Sequence, residues 1–267
     1  MNCFDENLYL KILTEESLFK RYGSKLSSRL IQLVLGFITL GIVPKALGPA
    51  AYGSFGYLSA FFSRFLGAFN LGFPTAFFVK FSKNQSDKKM VHFYIYFLLS
   101  LSALLLSLTA ILIFTGIRVY LFKDIAQGVI LGIAVYTILN LFSSTIRNIN
   151  DALGFTTDIE KLIKIQSFVV TLIIVLTNFY GYLGLDTYIA ILSLSAVAII
   201  FFGSRIVLVG KSFLSTDVNL GKTDYIKYSS SFFTFGKHLI VIAIIVFFSV
   251  MFDRWLIQYF YGAEEQG

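Results

Sequence analysis

The residues of this chain that could meet a charged ligand sit inside long apolar runs. Arg64 is the deepest, nine residues into the run over 55–79, about 14 Å at 1.5 Å per residue. At 100° per residue, Ser59, Ala60, Ser63, Arg64, Gly67, Asn70 and Pro74 share one arc of about 140°. Leu58, Phe61, Phe62, Phe65, Leu66, Phe69 and Phe73 share the opposite arc, which is bulky and lipid-compatible. An arginine at the centre of a bilayer costs about 2.5–3.5 kcal/mol, so the polar arc must face protein or a water-filled cavity. Thinner stripes recur elsewhere: Arg29, Gln32, Gly36 and Thr39; Tyr136, Asn140, Ser143, Ser144 and Arg147; Lys164, Ser167, Thr171 and Asn178. Hydrogen bonding between packed helices accounts for many such stripes. Four together are also what a hydrated, cation-lined bundle interior would produce. The candidate binding residues are therefore Arg64, Arg29, Asn70, Gln32, Asn140 and Lys164. No acid lies deep in the first six runs, so no carboxylate that couples movement to protons or sodium is visible, and no catalytic set is expected.

The elements that must carry these residues are membrane-spanning helices. The chain has 267 residues, 57% of them hydrophobic, with thirty Phe, fifteen Tyr and a mean hydropathy of +0.78. Only 14% is charged, against about 25% in soluble domains. Too few polar residues remain to coat a soluble surface, which excludes a soluble enzyme. At about 20 residues per crossing, the composition supplies about seven spans. Seven runs fit: roughly 26–44, 55–79, 93–114, 125–145, 162–182, 187–209 and 237–258. The fold class expected is an all-α integral membrane protein. One cysteine, Cys3, and two histidines, His92 and His238, make neither a disulfide nor a metal cluster, and no cofactor is expected. The net charge of +7 does not imply nucleic acid, because the basic residues lie between apolar runs without forming a basic face.

Lys and Arg are divided unevenly between alternate connections. Seventeen fall on the side of the N-terminus and four on the other, which predicts a cytoplasmic N-terminus. Residues 1–25 carry four acids and no early apolar core, so they are not a signal peptide. Leu8, Leu10, Ile12, Leu13, Leu18 and Phe19 could form an interfacial helix there, or the segment could be a loose tail. Asn84-Gln85-Ser86 matches a glycosylation pattern on the cytoplasmic side and reads as chance. Gly128 and Gly132, one turn apart, predict close helix packing.

The chain also begins to repeat. Leu47-Gly48-Pro49-Ala50-Ala51-Tyr52-Gly53 follows the first apolar run, and Tyr261-Gly262-Ala263-Glu264-Glu265-Gln266-Gly267 follows the last. Both glycine pairs are five apart and share an offset of 214 residues. The expected organisation is a segment over 1–25, a six-helix bundle over 26–210, a connection over 211–235, and the first helix of an incomplete second bundle over 236–267.

Three stretches resemble the polysaccharide (O-antigen) flippase family of the multidrug/oligosaccharidyl-lipid/polysaccharide exporter superfamily. Arg29-Leu30-Ile31-Gln32-Leu33-Val34-Leu35-Gly36-Phe37 with Pro44-Lys45-Ala46-Leu47-Gly48-Pro49 to Gly53 is similar to the family's opening helix and its Leu-Gly-Pro-x-x-Tyr-Gly turn. Asn70-Leu71-Gly72-Phe73-Pro74-Thr75-Ala76 resembles a segment that usually reads Asp-Leu-Gly-x-x-x-Ala, with Asn70 in place of the acid. Asp253-Arg254-Trp255-Leu256-Ile257 resembles the stretch that opens the family's second half. The resemblance implies a truncated twelve-helix exporter fold, multi-pass in the bacterial cytoplasmic (inner) membrane. It implies flipping of polyprenyl-pyrophosphate-linked oligosaccharide for surface polysaccharide synthesis, with the lipid substrate, membrane lipid, a missing C-terminal half and polysaccharide-assembly proteins as partners. Arg64, Arg29 and Lys164 would meet the pyrophosphate, and the Asn, Ser and Thr stripes the sugar hydroxyls. A membrane glycan polymerase or ligase is the alternative, against which the short, weakly charged external connections count. A non-transporting fragment is the other.

Overall fold

The computed structural model describes residues 3–70, 72–85, 87–115, 120–122, 125–210 and 221–262, with side chains described from Phe19 onward except over 208–210 and 238–240. Among the described residues there are eight helices and no strands. They are α1 (Cys3–Leu47), α2 (Pro49–Phe69), α3 (Phe73–Lys83), α4 (Lys88–Phe114), α5 (Gln127–Ala152), α6 (Thr156–Phe179), α7 (Leu185–Gly210) and α8 (Lys222–Tyr261). Six of these carry stretches long and apolar enough to cross a membrane: Phe19–Leu47, Lys88–Phe114, Gln127–Ala152, Thr156–Phe179, Leu185–Val207 and Val241–Tyr261. The chain is an all-α, multi-pass membrane protein.

The second expected span differs from the rest. The run over 55–79 is two helices, because α2 stops at Phe69 and the chain turns through Asn70 and Gly72 before α3. Pro74 sits in the first turn of α3, where its missing N–H costs nothing and its ring cannot clash with a preceding turn. Neither piece is among the six long apolar stretches. Pro74 therefore leaves the polar arc of α2. The bulky arc is also placed differently from the lipid-facing expectation: Leu58, Phe62 and Leu66 are buried in the bundle, packed with Leu101, Leu105, Phe122 and Ile130. Ser63, Arg64 and Gly67 are the exposed side. Aromatic complementarity decides this, since Phe61, Phe62 and Tyr57 all pack edge-on or tilted around Phe122.

Two ends also depart from the expected boundaries. The helix entering the first span is continuous from Cys3, so the segment before residue 26 is helical where it is described. Whether Leu8 to Leu18 form an apolar face lies outside the described side chains. At the other end, residues from Lys222 belong to α8, so the connection before the last span is helical along its second half; residues 211–220 lie outside the described residues. This added length docks on α3 and α4. Lys89 Nζ meets Asp224 Oδ2 at 2.8 Å, Lys80 Nζ donates to Ser231 Oγ at 2.5 Å, and the Tyr228 hydroxyl donates to Asp87 at 2.8 Å. Phe73, Phe93 and Phe232 close the contact beneath. The Lys89 ammonium holds the Asp224 carboxyl below its usual range, while burial and the Asp87 carboxylate push the Tyr228 hydroxyl up.

The two glycines at the 214-residue offset have matching backbones. Gly48 lies at φ 77, ψ 165 and Gly262 at φ 85, ψ −171, a region open to glycine, and each amide donates to the carbonyl four residues back, Pro44 and Gln258. Gly267 lies outside the described residues.

α5 packs tightly on α7 at a glycine the periodicity did not single out. A Cβ on Gly203 would stand 2.6 Å from Ile146 Cγ2 and 3.3 Å from Ile159 Cδ1. The Gly203 carbonyl accepts from the buried Asn150 Nδ2 at 3.0 Å. Gly132 is near Ile189 at 3.4 Å, but Gly128 faces open space. Gly203→Val should therefore cost about 1–3 kcal/mol by overpacking. Gly128→Ala should be neutral or gain up to about 1 kcal/mol of helix propensity. Thermal unfolding of the purified chain in detergent checks the contrast, and equal melting temperatures for the two variants would contradict the packing described.

Candidate functional site: a polar cavity at one end of the bundle

At the ends of three spans, α1, α5 and α6 enclose a cavity of about 330 Å³. Its wall is polar because charged residues of all three helices border it. From α1 come Lys25, Arg29 and Gln32; from α5 Ser144, Arg147, Asn148 and Asp151; from α6 Glu160, between Ile159 and Ile163. The α5 residues recur at spacings of three and four, one face of a helix. Ser144 lies eight residues before Ala152, so the cavity reaches about 12 Å along the helix from its end.

Asp151 fixes the geometry. Lys25 Nζ lies 2.6 Å from its Oδ2. The Thr156 hydroxyl donates to its Oδ1 at 2.5 Å, and Arg21 donates through Nε to Thr156 Oγ1 at 2.8 Å and through Nη2 to the Asp151 carbonyl at 2.9 Å. Two further bonds run beside this clasp: Ser28 Oγ donates to the Glu160 carbonyl at 3.2 Å, and Lys164 Nζ to Ser27 Oγ at 2.6 Å. Residues 21–28 of α1 are thus stitched to the α5–α6 corner. With Asp151 satisfied by its own cations, it does not neutralise the arginines deeper in the wall.

Those arginines are the chemically open groups. Among the described residues, Arg29 makes no hydrogen bond and no ion pair. Arg147 donates only through Nε to the Ser143 carbonyl of its own helix, at 3.4 Å. Its guanidinium lies within electrostatic reach of Arg29 and of Glu160, but no carboxylate oxygen comes within 4 Å of either arginine. Two unmatched guanidinium forks beside the Asn148 and Gln32 amides make a site for an anion with several oxygens, such as a phosphate or pyrophosphate.

Of the six residues expected from sequence, the cavity brings Arg29 and Gln32 together. Lys164 stands beside it, tied to Ser27. Asn140 is exposed on α5, two turns from Arg147 toward the middle of the span. Arg64 is exposed on α2, with no hydrogen bond or ion pair among the described residues, and Asn70 ends that helix with a buried Oδ1 that accepts none. Lys25, Asn148, Asp151 and Glu160 were not singled out. The stripe read on α5 already held Ser144 and Arg147, and extending it by one turn is the signal that would have found Asn148 and Asp151. No group of His, Cys, Asp and Glu suited to a metal occurs among the described residues.

Comparison with protein-family models, with curated proteins and with solved structures finds no match.

The clasp and the surface pair Lys161–Asp158 make a matched test. Asp151 is largely buried and holds two cations and a hydroxyl, whereas Lys161 and Asp158 are mostly exposed. Asp151→Asn should lower stability by about 1–3 kcal/mol, and Asp158→Asn should stay within about 0.5 kcal/mol of the parent. Denaturant unfolding in detergent measures both; an Asp151→Asn variant as stable as Asp158→Asn would show that the clasp does not hold α1.

Proposed function

We propose that this chain forms part of a flippase that carries a polyprenyl-pyrophosphate-linked oligosaccharide across the bacterial cytoplasmic membrane for surface polysaccharide synthesis. The observation that carries this reading is the pair Arg29 and Arg147, two guanidinium groups without carboxylate partners in one cavity sunk between three spans. A pyrophosphate supplies the missing charge, the amides of Gln32 and Asn148 suit the sugar hydroxyls beside it, and a prenyl tail is compatible with the surrounding lipid. On this reading the N-terminus is cytoplasmic, as the basic residues favour. The cavity then opens toward the side on which the lipid-linked sugar is made.

The matching conformations of Gly48 and Gly262 support a second unit that begins with the last span, as in exporters built from repeated bundles. Residues 26–210 would be the first bundle and the chain from about residue 236 the start of the second. Arg64 gives this organisation a function. An unpaired cation in mid-helix is costly against lipid, and a second bundle rocking against α2 would enclose it in a central water-filled passage.

The test is export in cells that lack their own flippase, scored together with protein abundance in the membrane. Each charge-assisted hydrogen bond is worth about 1.5–3 kcal/mol, so Arg29→Ala or Arg147→Ala in the full-length protein should reduce export about 10- to 100-fold at near-normal abundance. Arg147→Lys should keep part of the activity, because charge survives while the fork to phosphate oxygens is lost. Arg64→Ala should likewise lower export per molecule. Normal export per molecule in the Arg29→Ala, Arg147→Ala double variant would refute the proposed site.

A further inference from the structure

We propose a second, separate binding site: the groove between α6 and α7 holds one anionic phospholipid, its chain along the groove and its phosphate at the end near Arg205. This inference needs only that the helices span a membrane and is independent of the transported substrate.

The groove has a volume of about 330 Å³ and an almost wholly aliphatic wall, including Leu162, Ile165 and Val169 of α6 and Leu194, Ala198 and Phe202 of α7. Both walls belong to spans, so the medium that reaches the groove is lipid. The helices run antiparallel: a Cβ on Gly203 would stand 3.3 Å from Ile159 at one end, and Ile174 and Ile191 share a cluster at the other. The wall from 162 to 173 is thus about 16 Å long, the scale of an acyl chain and not of a small solute.

Charge at one end says which lipid fits. Arg205 follows Phe202 by three residues and lies on the same face of α7, exposed, with its guanidinium 5.2 Å from the Phe201 ring. Across the mouth, Lys161 immediately precedes Leu162 and is exposed. Among the described residues it pairs with the exposed Asp158 alone, at 3.3 Å, a pair that a phosphate can displace at small cost. Both cations lie within about 8 Å of the ends of their spans, at headgroup depth. Asp158 opposes an anion and Lys161 and Arg205 favour it, so the mouth has a net positive charge. One turn further in, Gln166 lines the apolar wall, and among the described residues its side chain has no hydrogen-bond partner. An unmatched amide in hydrocarbon is costly, and the ester carbonyls of a phospholipid lie at that depth. Ser195, the other polar lining residue, is already satisfied by the Leu192 carbonyl at 2.7 Å.

The single tryptophan makes the test direct. Trp255→Phe combined with Phe202→Trp places the only indole in the groove. The full chain is reconstituted into vesicles of phosphatidylcholine with increasing phosphatidylglycerol, each lipid in turn carrying brominated chains that quench tryptophan. The fluorescence gives the binding constant of one lipid relative to the other. Near-surface cations contribute about 1 kcal/mol each, so a preference of about five- to tenfold for phosphatidylglycerol is expected at low salt. It should fall toward one in Arg205→Gln or Lys161→Gln, and in 0.5 M salt. Ala198→Phe should fill the groove and weaken quenching by both lipids. A relative constant of one in the parent protein would mean ordinary surrounding lipid, and a preference unchanged in both cation variants would place the anion elsewhere; either overturns the proposal.

Discussion

Hydrocarbon offers no hydrogen bonds, and that constraint governs where most of the described polar groups of the spans lie. Serines and threonines on the spans mostly return their hydroxyl to the carbonyl a turn earlier in their own helix, as Ser102, Thr109 and Thr137 do. Such residues are silent about function, since each one is satisfied without a ligand. Asn150 is fully buried and bridges from α5 to α7 at Gly203, where the two helices pack tightly. The charged groups described on the spans mostly have two outlets, the ends of the helices or a cavity; Arg64, exposed midway along α2, is an exception. Asp151 uses the first, gathering Lys25 and Arg21 at the end of α5. Once that carboxylate is matched, Arg29 and Arg147 remain in the wall with no carboxylate oxygen within 4 Å; Glu160 offsets part of their charge at longer range, and a net preference for an anion follows.

The same constraint explains what the sequence made legible. Long apolar runs are conspicuous because the bilayer demands them, so most of the spans could be read from hydropathy alone. The Gly48-Pro49 turn was legible as well, because a glycine followed by proline after an apolar run has few backbone options. The second run failed as one element for a local reason: Asn70, Gly72 and Pro74 together favour a turn, and uniform hydropathy over Phe69 and Phe73 masks it. Of its bulky face, Leu58, Phe62 and Leu66 went to the core, while Phe69 stayed exposed and Phe73 belongs to α3. Periodicity distinguishes two sides of a helix without saying which has a partner, and here Phe122, far along the chain from Phe61 and Phe62, supplies that partner.

The cavity was half legible for a related reason. Arg29 and Gln32 stood out because they interrupt an apolar helix. Asp151 and Glu160 sit where a span meets a connection, and charge at such a place is ordinary. Their significance arises only when residues 21–29 meet residues 147–160, a contact separated by more than 120 positions along the chain. The one-turn spacing of Ser144, Arg147 and Asp151 was present in the sequence, but a stripe gains meaning only from the helix it faces. Gly203 is the same case in packing: nothing around it in sequence marks it, and Ile146 and Ile159 do so only in space.

A hydrated anion site requires the cavity between α1, α5 and α6 to be open to water although it lies within spans. Substituted-cysteine labelling in a Cys3→Ser background tests this most directly, using a membrane-impermeant thiol reagent on inside-out and right-side-out vesicles. Ser144→Cys and Gln32→Cys should label rapidly from one side only, and excess inorganic pyrophosphate should slow the reaction. Leu172→Cys and Leu176→Cys, exposed on α6 toward lipid, should remain unreactive from either side. Inert cysteines at 144 and 32, or labelling there that matches positions 172 and 176, would contradict the existence of a hydrated anion site.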